Sequence, residues 1–414
     1  MYISKLALDH FRSWEHCVVD LAPGITIFYG NNGIGKTNIV EAVEFLSTGM
    51  SHRTHTAKPL IQAAQSSAHI RANVELDNHT ESQYALTLSS RGGHRARVNG
   101  GKSQYVRDII GDIPSVTFAP EDQKLISSEP SVRRQFVDSA AVFLVPGYYD
   151  ILQQYNHIAK QRVALLKNVA QLRSSVSSQG SPVDFSQIFT SLEIWTDHLV
   201  RLGIQITQAR SQVINTLAPY FSQIYQRVAG EQHSAQIIYE PSYAEVLEHK
   251  ENEQIAYENI INHYQRLFEG EVAQSRNLIG PHRDDISFTL NGMDAKDYAS
   301  NGEMWSLALA VKMALCEALS AHKSTSPLLI LDDVFAQLDN SRRAHIIEFA
   351  ANLPQVFITV AAKNDVPEEF FDATMSDRVH FVDVEALRKY SDALQDVPSV
   401  EEFMKHIESA DQDA

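Results

Sequence analysis

The sequence predicts an α/β fold interrupted by a mostly helical insert, and three stretches carry that expectation. Residues 24–30 (GITIFYG) alternate as a strand does, run into a glycine-rich loop, and are followed by helical spacing. Residues 186–218 carry apolar side chains three or four positions apart, once seven, the mark of an amphipathic helix. Residues 328–331 (LLIL) are continuously apolar and close on two acids, as a strand buried on both faces of a parallel sheet does.

Taken in order, YISKLAL, VVDL and GITIFYG read as short strands within the first 30 residues. After Lys36, Ile39, Val43 and Leu46 share one helical face, and Gly49 is a natural stop. Residues 68–119 are strand-rich, with a turn at Asn99 and Gly100 and an apolar SVTFAP segment. Residues 148–173 form one expected helix. Residues 186–218 form another, with Ile188, Leu192, Trp195, Leu199, Leu202, Ile206 and Val213 as its apolar series. SSVSSQGSP between them reads as a loop, so the pair is an antiparallel hairpin or a helical subdomain packed on the rest. Residues 300–319 form a helix, and PQVFITVAA a further buried strand. The expected division is 1–140 and 271–375 for the two parts of an α/β body, 141–270 for the helical insert, and 376–414 for an acidic, solvated segment.

With 414 residues the chain exceeds one ordinary core. No apolar run long enough for a membrane span and no secretory leader is visible, and two cysteines cannot frame a disulfide scaffold. A reducing cytoplasm fits this composition. The net charge of −16 is uneven: residues 1–175 hold 18 Lys and Arg against 15 Asp and Glu, the remainder 17 against 36. A local basic face survives in such a chain because distant charges are screened beyond about 8–10 Å.

Gly30, Asn31, Asn32, Gly33, Ile34, Gly35, Lys36 and Thr37 fit G-x-x-x-x-G-K-[ST] at every fixed position. The glycines let backbone N–H groups turn toward phosphate oxygens, Lys36 offers a cation for the β and γ phosphates, and Thr37 a hydroxyl for Mg²⁺. The motif indicates ATP. Asp332 would hold Mg²⁺ directly or through water, and Asp333 would act as general base on the attacking water. Ser300 and Glu303 open the long apolar helix and read either as a capping box or as a nucleotide-contacting element. Arg12 is a candidate phosphate contact. Arg53, Arg133 and Arg134 are candidates for a DNA path, surface charges or internal ion pairs. The histidines, His282 included, lack metal-ligand spacing and read as structural or surface groups.

The order of phosphate loop, Ser-x-Gly-Glu helix, hydrophobic-Asp-Asp and Ala336-Gln337-Leu338-Asp339 resembles ABC-type ATPase heads. Within that class the chain resembles the RecF family along nearly its whole length. The supporting stretches are DHFRS (9–13), SHRT (51–54), FAPED (118–122), RRQFVD (133–138), GPHRDD (280–285) and LDDVF (331–335). The resemblance implies a mixed-sheet head with a helical lid, ATP and Mg²⁺ as ligands, and a homodimer sandwiching ATP. In that sandwich Ser300, Gly302 and Glu303 of one copy face the γ phosphate of the other, with Asp339 also at the nucleotide. It further implies DNA gripped near single-strand/double-strand junctions, partners RecR and RecO, loading of RecA, and a place in the SOS response. Asp333 stands where most ABC heads have glutamate, which implies slow turnover. Met304, Trp305 and the lack of a histidine in residues 359–362 depart from the pattern. A nucleotide-dependent binding module with negligible hydrolysis is the alternative. An SMC-like tether would need a coiled coil of hundreds of residues, and a transporter ATPase would hold Lys36 and Asp332 much closer than 296 positions.

Overall fold

A computed structural model describes the chain except residues 55, 79, 180–185, 324–325, 336–337, 367–369, 371–377 and 394–414. It forms two compact units, one of Met1–Pro120 with Lys323–Ala414 and one of Glu121–His322.

The first unit opens with β1 (Tyr2–Phe11), β2 (Trp14–Asp20), β3 (Gly24–Tyr29) and α1 (Lys36–Thr48). Helix α1 ends on Gly49, whose left-handed φ of 66° lets its N–H close the last turn on Phe45. Then come β4 (Ser67–Glu75), β5 (Glu81–Ser89), β6 (Arg95–Val98), β7 (Gln104–Tyr105) and β8 (Ser115–Phe118). Strands β2-β1-β4-β5-β6-β7 pair antiparallel in one six-stranded sheet. Every second residue of β4 (Ala68, Ile70, Ala72 and Val74) is buried, the period that gives such a sheet one core face and one open face.

The second unit contains α2 (Lys124–Ser127), α3 (Pro130–Leu144), α4 (Tyr148–Gln179), α5 (Ser186–Ala229), β9 (Ala235–Glu240), α6 (Ala244–Glu248), α7 (Glu253–Gln274), β10 (Asp285–Leu290), β11 (Met293–Asp294), α8 (Ala295–Tyr298) and α9 (Asn301–Lys323). Helices α4 and α5 pack on each other as the expected pair. Both outrun their expected ends: α4 takes in most of SSVSSQGSP, and α5 runs past residue 218 through Pro219. The rest of that expected loop lies outside the described residues.

The unit boundaries also differ from expectation. Segments 121–140 and 271–322 belong with the helices, and a buried ion network explains why. Arg210 of α5 donates to Asp138 of α3 (2.9 Å), Asp284 (2.7 Å) and the carbonyl of Pro281 (2.6 Å). Arg133 forms a two-pronged pair with Asp285 at 2.6 and 2.8 Å. The RRQFVD and GPHRDD stretches therefore clamp both flanks of the helical segment. His282 accepts from the Tyr155 hydroxyl at 2.8 Å and donates to the Asn277 carbonyl at 3.2 Å, the pattern of a neutral ring.

The chain returns to the first unit with β12 (Leu328–Asp332), α10 (Asn340–Ala351), β13 (Gln355–Val360), β14 (Val379–Asp383) and α11 (Val384–Ala393). These strands join β3 and β8 in an all-parallel sheet of order β14-β3-β13-β12-β8. Within the first unit the antiparallel and parallel strands are thus divided between two sheets. Buried Gln355 ties them together, accepting from Ile3 N–H and donating to Ile3 C=O, both at 2.8 Å. Residues 379–393, expected as a solvated acidic segment, instead supply the sheet's outer strand and a helix. One expectation about apolar runs is corrected: Asn301–His322 is long and apolar enough to cross a membrane, and 67% of its most apolar window is buried inside the protein.

Two outcomes follow for the second unit. Arg210→Met leaves two carboxylates without their partner and should destabilise by about 3–5 kcal/mol in urea unfolding. Burial, aided by the charges of Arg283, Arg134 and Arg210, pushes the pKa of His282 down to about 4 from 6.5. Because the folded value lies below the unfolded one, stability is full above about pH 6.5 and falls toward pH 4. His282→Gln should cancel about 2 kcal/mol of the loss seen between pH 7 and pH 5.

Candidate nucleotide site

Strand β3 carries the chain to the C-terminal edge of the parallel sheet, where ligands of α/β proteins bind, and α1 leads away from it. Between them Gly30, Gly33 and Gly35 adopt φ of 146°, 81° and 115°. At Gly35 a Cβ would sit 2.7 Å from Trp14 Nε1, and the same indole N–H donates to the Gly35 carbonyl at 3.0 Å. Only glycine meets both conditions. Lys36 folds over the loop and donates to the carbonyls of Gly30 (2.5 Å) and Asn31 (3.0 Å). Burial lowers the pKa of Lys36, against the opposing charges of Asp333, Asp332 and Glu385.

Asp332 ends β12 two strands away and is nearly fully buried. Its Oδ1 accepts from Thr37 Oγ1 at 2.9 Å and from Thr359 Oγ1 at 2.7 Å. Burial would raise its pKa, but hydrogen bonds from His52, Thr359 and Thr37 outweigh that and hold the carboxyl below its ordinary range. Asp333 turns out of the strand at φ 54°, its N–H donating to Thr359 Oγ1 at 2.9 Å. Its pKa is raised by burial and by the neighbouring Asp332 charge, with Lys36 opposing. One acid is thus kept ionised, and the next is tuned toward proton uptake.

Four residues here were not singled out as site residues from the sequence. Thr359 joins Asp332 to the backbone of Asp333, a role invisible until β13 is placed beside β12. His52 is the second: Nδ1 lies 2.6 Å from Glu44 Oε2, and Nε2 lies 3.5 Å from Asp332 Oδ2. Burial works to lower its pKa, yet Glu44 and Asp332 raise it to about 10. It is a half-buried cation between two acids, a structural group of the kind the sequence reading allowed. The third and fourth come from α11, where Arg388 donates at 2.8 Å to the carbonyls of both Ile34 and Ser13 and lies 5.2 Å from the Trp14 ring. Glu385 accepts from Asn31 N–H at 3.4 Å, so a carboxylate already engages one of the loop's amides.

The other expected residues fall into local pairs and caps. Arg12 grips buried Glu41 at 2.5 and 2.9 Å, and Arg53 reaches the same carboxylate at 3.3 Å and Asn38 at 3.0 Å. Arg12 stands as an anchor for α1. Arg133 is buried on Asp285, and half-buried Arg134 donates to the Asp284 carbonyl at 2.7 Å. Ser300 and Glu303 close a capping box: Ser300 N–H and Oγ donate to Glu303 at 2.8 and 2.6 Å. Ser300 itself is exposed, and Gly302 is half-buried one position into α9. Both lie in the second unit, whereas the phosphate loop lies in the first. Asp339 caps α10 by accepting from Arg342 N–H at 2.9 Å and pairs with that arginine's side chain. Ala336 and Gln337 lie outside the described residues.

The donor set fits Mg-ATP. A loop of turned glycines at the start of a 13-residue helix binds anionic phosphate. One ionised carboxylate and one hydroxyl 2.9 Å apart suit Mg²⁺, which takes few protein ligands and completes its shell with phosphate and water. Consistently, among the described residues no group of three or more His, Cys, Asp or Glu is placed to hold a metal by itself. Mg²⁺ bound there would neutralise charge on the terminal phosphates, held by Thr37 and Asp332.

Comparison with known proteins agrees with this geometry. The RecF/RecN/SMC N-terminal domain family matches residues 2–380. The DNA replication and repair protein RecF of Bifidobacterium adolescentis is 51% identical over 395 residues, covering 94% of this chain and 93% of its own. That of Rhodococcus erythropolis is 36% identical over 380 residues, covering 89% and 91%. Among solved structures, the recombination mediator protein RecF-ATP in the RecFOR pathway superposes with a TM-score of 0.77 at 27% identity, covering 88% of this chain and 93% of that one.

The loop's dependence on α11 has a measurable consequence. Arg388→Ala removes two charge-assisted hydrogen bonds and should weaken binding of a fluorescent ATP analogue about tenfold, or about 1.4 kcal/mol. Arg388→Lys should recover part of the loss.

Proposed function

This chain belongs to the RecF family, and from that premise we propose that it is an ATP-switched DNA-binding protein of recombinational repair and replication. The observation that carries this reading is the hydrogen-bonded series Thr37–Asp332–Thr359–Asp333 beside the phosphate loop, which supports a half-site for magnesium and nucleotide. Mg-ATP bound on that half-site would be covered by the exposed Ser300 end of α9 from a second copy, so ATP holds two copies together. The dimer grips DNA near single-strand/double-strand junctions, works with RecR and RecO, and helps load RecA. Asp333 orients and deprotonates the attacking water. Its carboxylate is one methylene shorter than a glutamate's, which favours slow hydrolysis and long-lived closure.

A second reading has one specific observation in its favour. Ser300 and Glu303 already satisfy each other within the capping box, so the helix end needs no phosphate to complete it. On that reading the chain is a nucleotide-dependent binding module with negligible hydrolysis. DNA-stimulated phosphate release in a single turnover separates the two.

Light scattering on a sizing column tests the main proposal. The wild type should double in mass with saturating Mg-ATP, while Lys36→Ala and Ser300→Arg stay monomeric and Ser300→Arg still binds nucleotide. Monomeric wild type at saturating Mg-ATP would refute the sandwich. Affinity for gapped DNA that is equal with and without ATP would refute the switch.

A further inference from the structure

The four arginines expected near ligands are all engaged by protein groups, yet the chain carries a basic strip elsewhere. Residues 91–107 (RGGHRARVNGGKSQYVR) contain five Lys and Arg and no acid, in a chain of net charge −16. The strip is the β6–β7 hairpin at one edge of the antiparallel sheet. Arg91 sits in the turn before β6, Arg95 and Arg97 on the strand, and Lys102 in the turn after it, so positive charge runs the length of the hairpin. All four are exposed. Among the described residues none of them has a carboxylate within ion-pair distance.

The register shows what lies beside them. Arg97 is opposite Ala85, and that row continues through Arg71 to Ala7. Arg95 is opposite Thr87 on one side and Tyr105 on the other. Arg95 and Arg97 point to the same open face about 7 Å apart. The neighbouring side chains Ala7, Ala85 and Thr87 are short, leaving a broad anionic strand room to approach. Tyr105 lies with its ring centroid 4.0 Å from the Arg95 guanidinium and 4.6 Å from that of Arg107. Cation–π contact orders these side chains in advance and lowers the entropy lost when they bind.

We propose that the outer β6–β7 hairpin, through Arg91, Arg95, Arg97 and Lys102, is the surface that takes the phosphate backbone of DNA. A row of exposed cations on a flat sheet edge suits a repeating polyanion read without regard to base sequence. It is not a pocket for a single anion. An anionic membrane is the weaker match, because the strip offers no apolar side chains for the acyl boundary beyond Tyr105. The proposal rests on the reading of the chain as a DNA-binding protein and says where on it the backbone lies.

The test uses full-length protein with Mg-ATP and a fluorescent gapped duplex, titrated across a salt series. Arg95→Gln/Arg97→Gln/Lys102→Gln should lower affinity at least about tenfold near 0.15 M salt and reduce the slope of log K against log salt by about 2–3. ATP affinity, ATP-dependent mass and thermal midpoint should stay at wild-type values. Arg95→Lys/Arg97→Lys should keep the wild-type slope. A charge-matched triple on the helical unit, Arg173→Gln/Arg201→Gln/Arg227→Gln, should leave binding unchanged. Wild-type slope and affinity in the hairpin triple variant would overturn the proposal while leaving ATP-dependent DNA binding intact, and aggregation of that variant would then assign the charges to protection of an open sheet edge. Equal losses in the two triple variants, or loss of binding to phosphatidylserine vesicles with DNA affinity unchanged, would also overturn it. Absence of DNA binding by the wild type would remove the wider reading as well.

Discussion

The hydrogen bonds on the Asp332 carboxylate set the geometry on which the rest of the nucleotide site depends. A buried carboxylate is tolerable only when donors surround it, and here they come from Thr37 at the start of α1, Thr359 on β13 and His52 in the loop after α1. Each donor is placed by a different part of the chain. Satisfying one acid therefore aligns the phosphate loop, two parallel strands and the loop beyond α1. His52 matters for charge as well as position, since Glu44 and Asp332 together would otherwise be adjacent buried anions. Removing that cation would leave both acids to be neutralised by protonation or by solvent.

The second unit reaches the same end by different means. Arg210 and Arg133 bring together carboxylates from α3 and from the approach to β10, separated by more than 140 positions of sequence. A buried guanidinium with three donors satisfied in fixed directions specifies one arrangement of its helices more strictly than apolar packing does. This explains why the distinctive stretches RRQFVD and GPHRDD of the middle region place Arg133 and Asp284 in the interior.

Much of the site was legible because its signals are local. The phosphate loop declares itself through glycine spacing, and the strand ending in Asp332 through an uninterrupted apolar run. Positive φ values at Gly30, Gly33 and Gly35 are the backbone form of what their spacing implied. Thr359, Glu385 and Arg388 carried no such signal, because their roles arise from strand register and from a helix more than 350 positions downstream of the loop. The arginines' partners were hidden for a related reason. A guanidinium in a distinctive stretch suggests a phosphate, whereas its partner Glu41, Asp284 or Asp285 is visible only once the chain is folded. Conversely, the basic hairpin was hidden by the acidic total, since net charge averages over surfaces that never interact.

The parallel sheet has a bearing on how this molecule comes into being. Strand β3 is flanked on both sides by strands made after the entire helical unit: β13 on one edge and β14 on the other. While the chain emerges from the ribosome, β3 and the phosphate loop must wait through more than 300 residues of synthesis before either neighbour exists. The helical unit, contiguous in sequence, is free to fold during that interval, while the exposed edges of β3 stay open to wrong partners. A chain cut short before residue 379 would lack one flank of that strand and the arginine that pins its loop. Truncated products of this gene would therefore be candidates for chaperone capture, whereas a chain that reaches α11 sets its phosphate loop against Arg388.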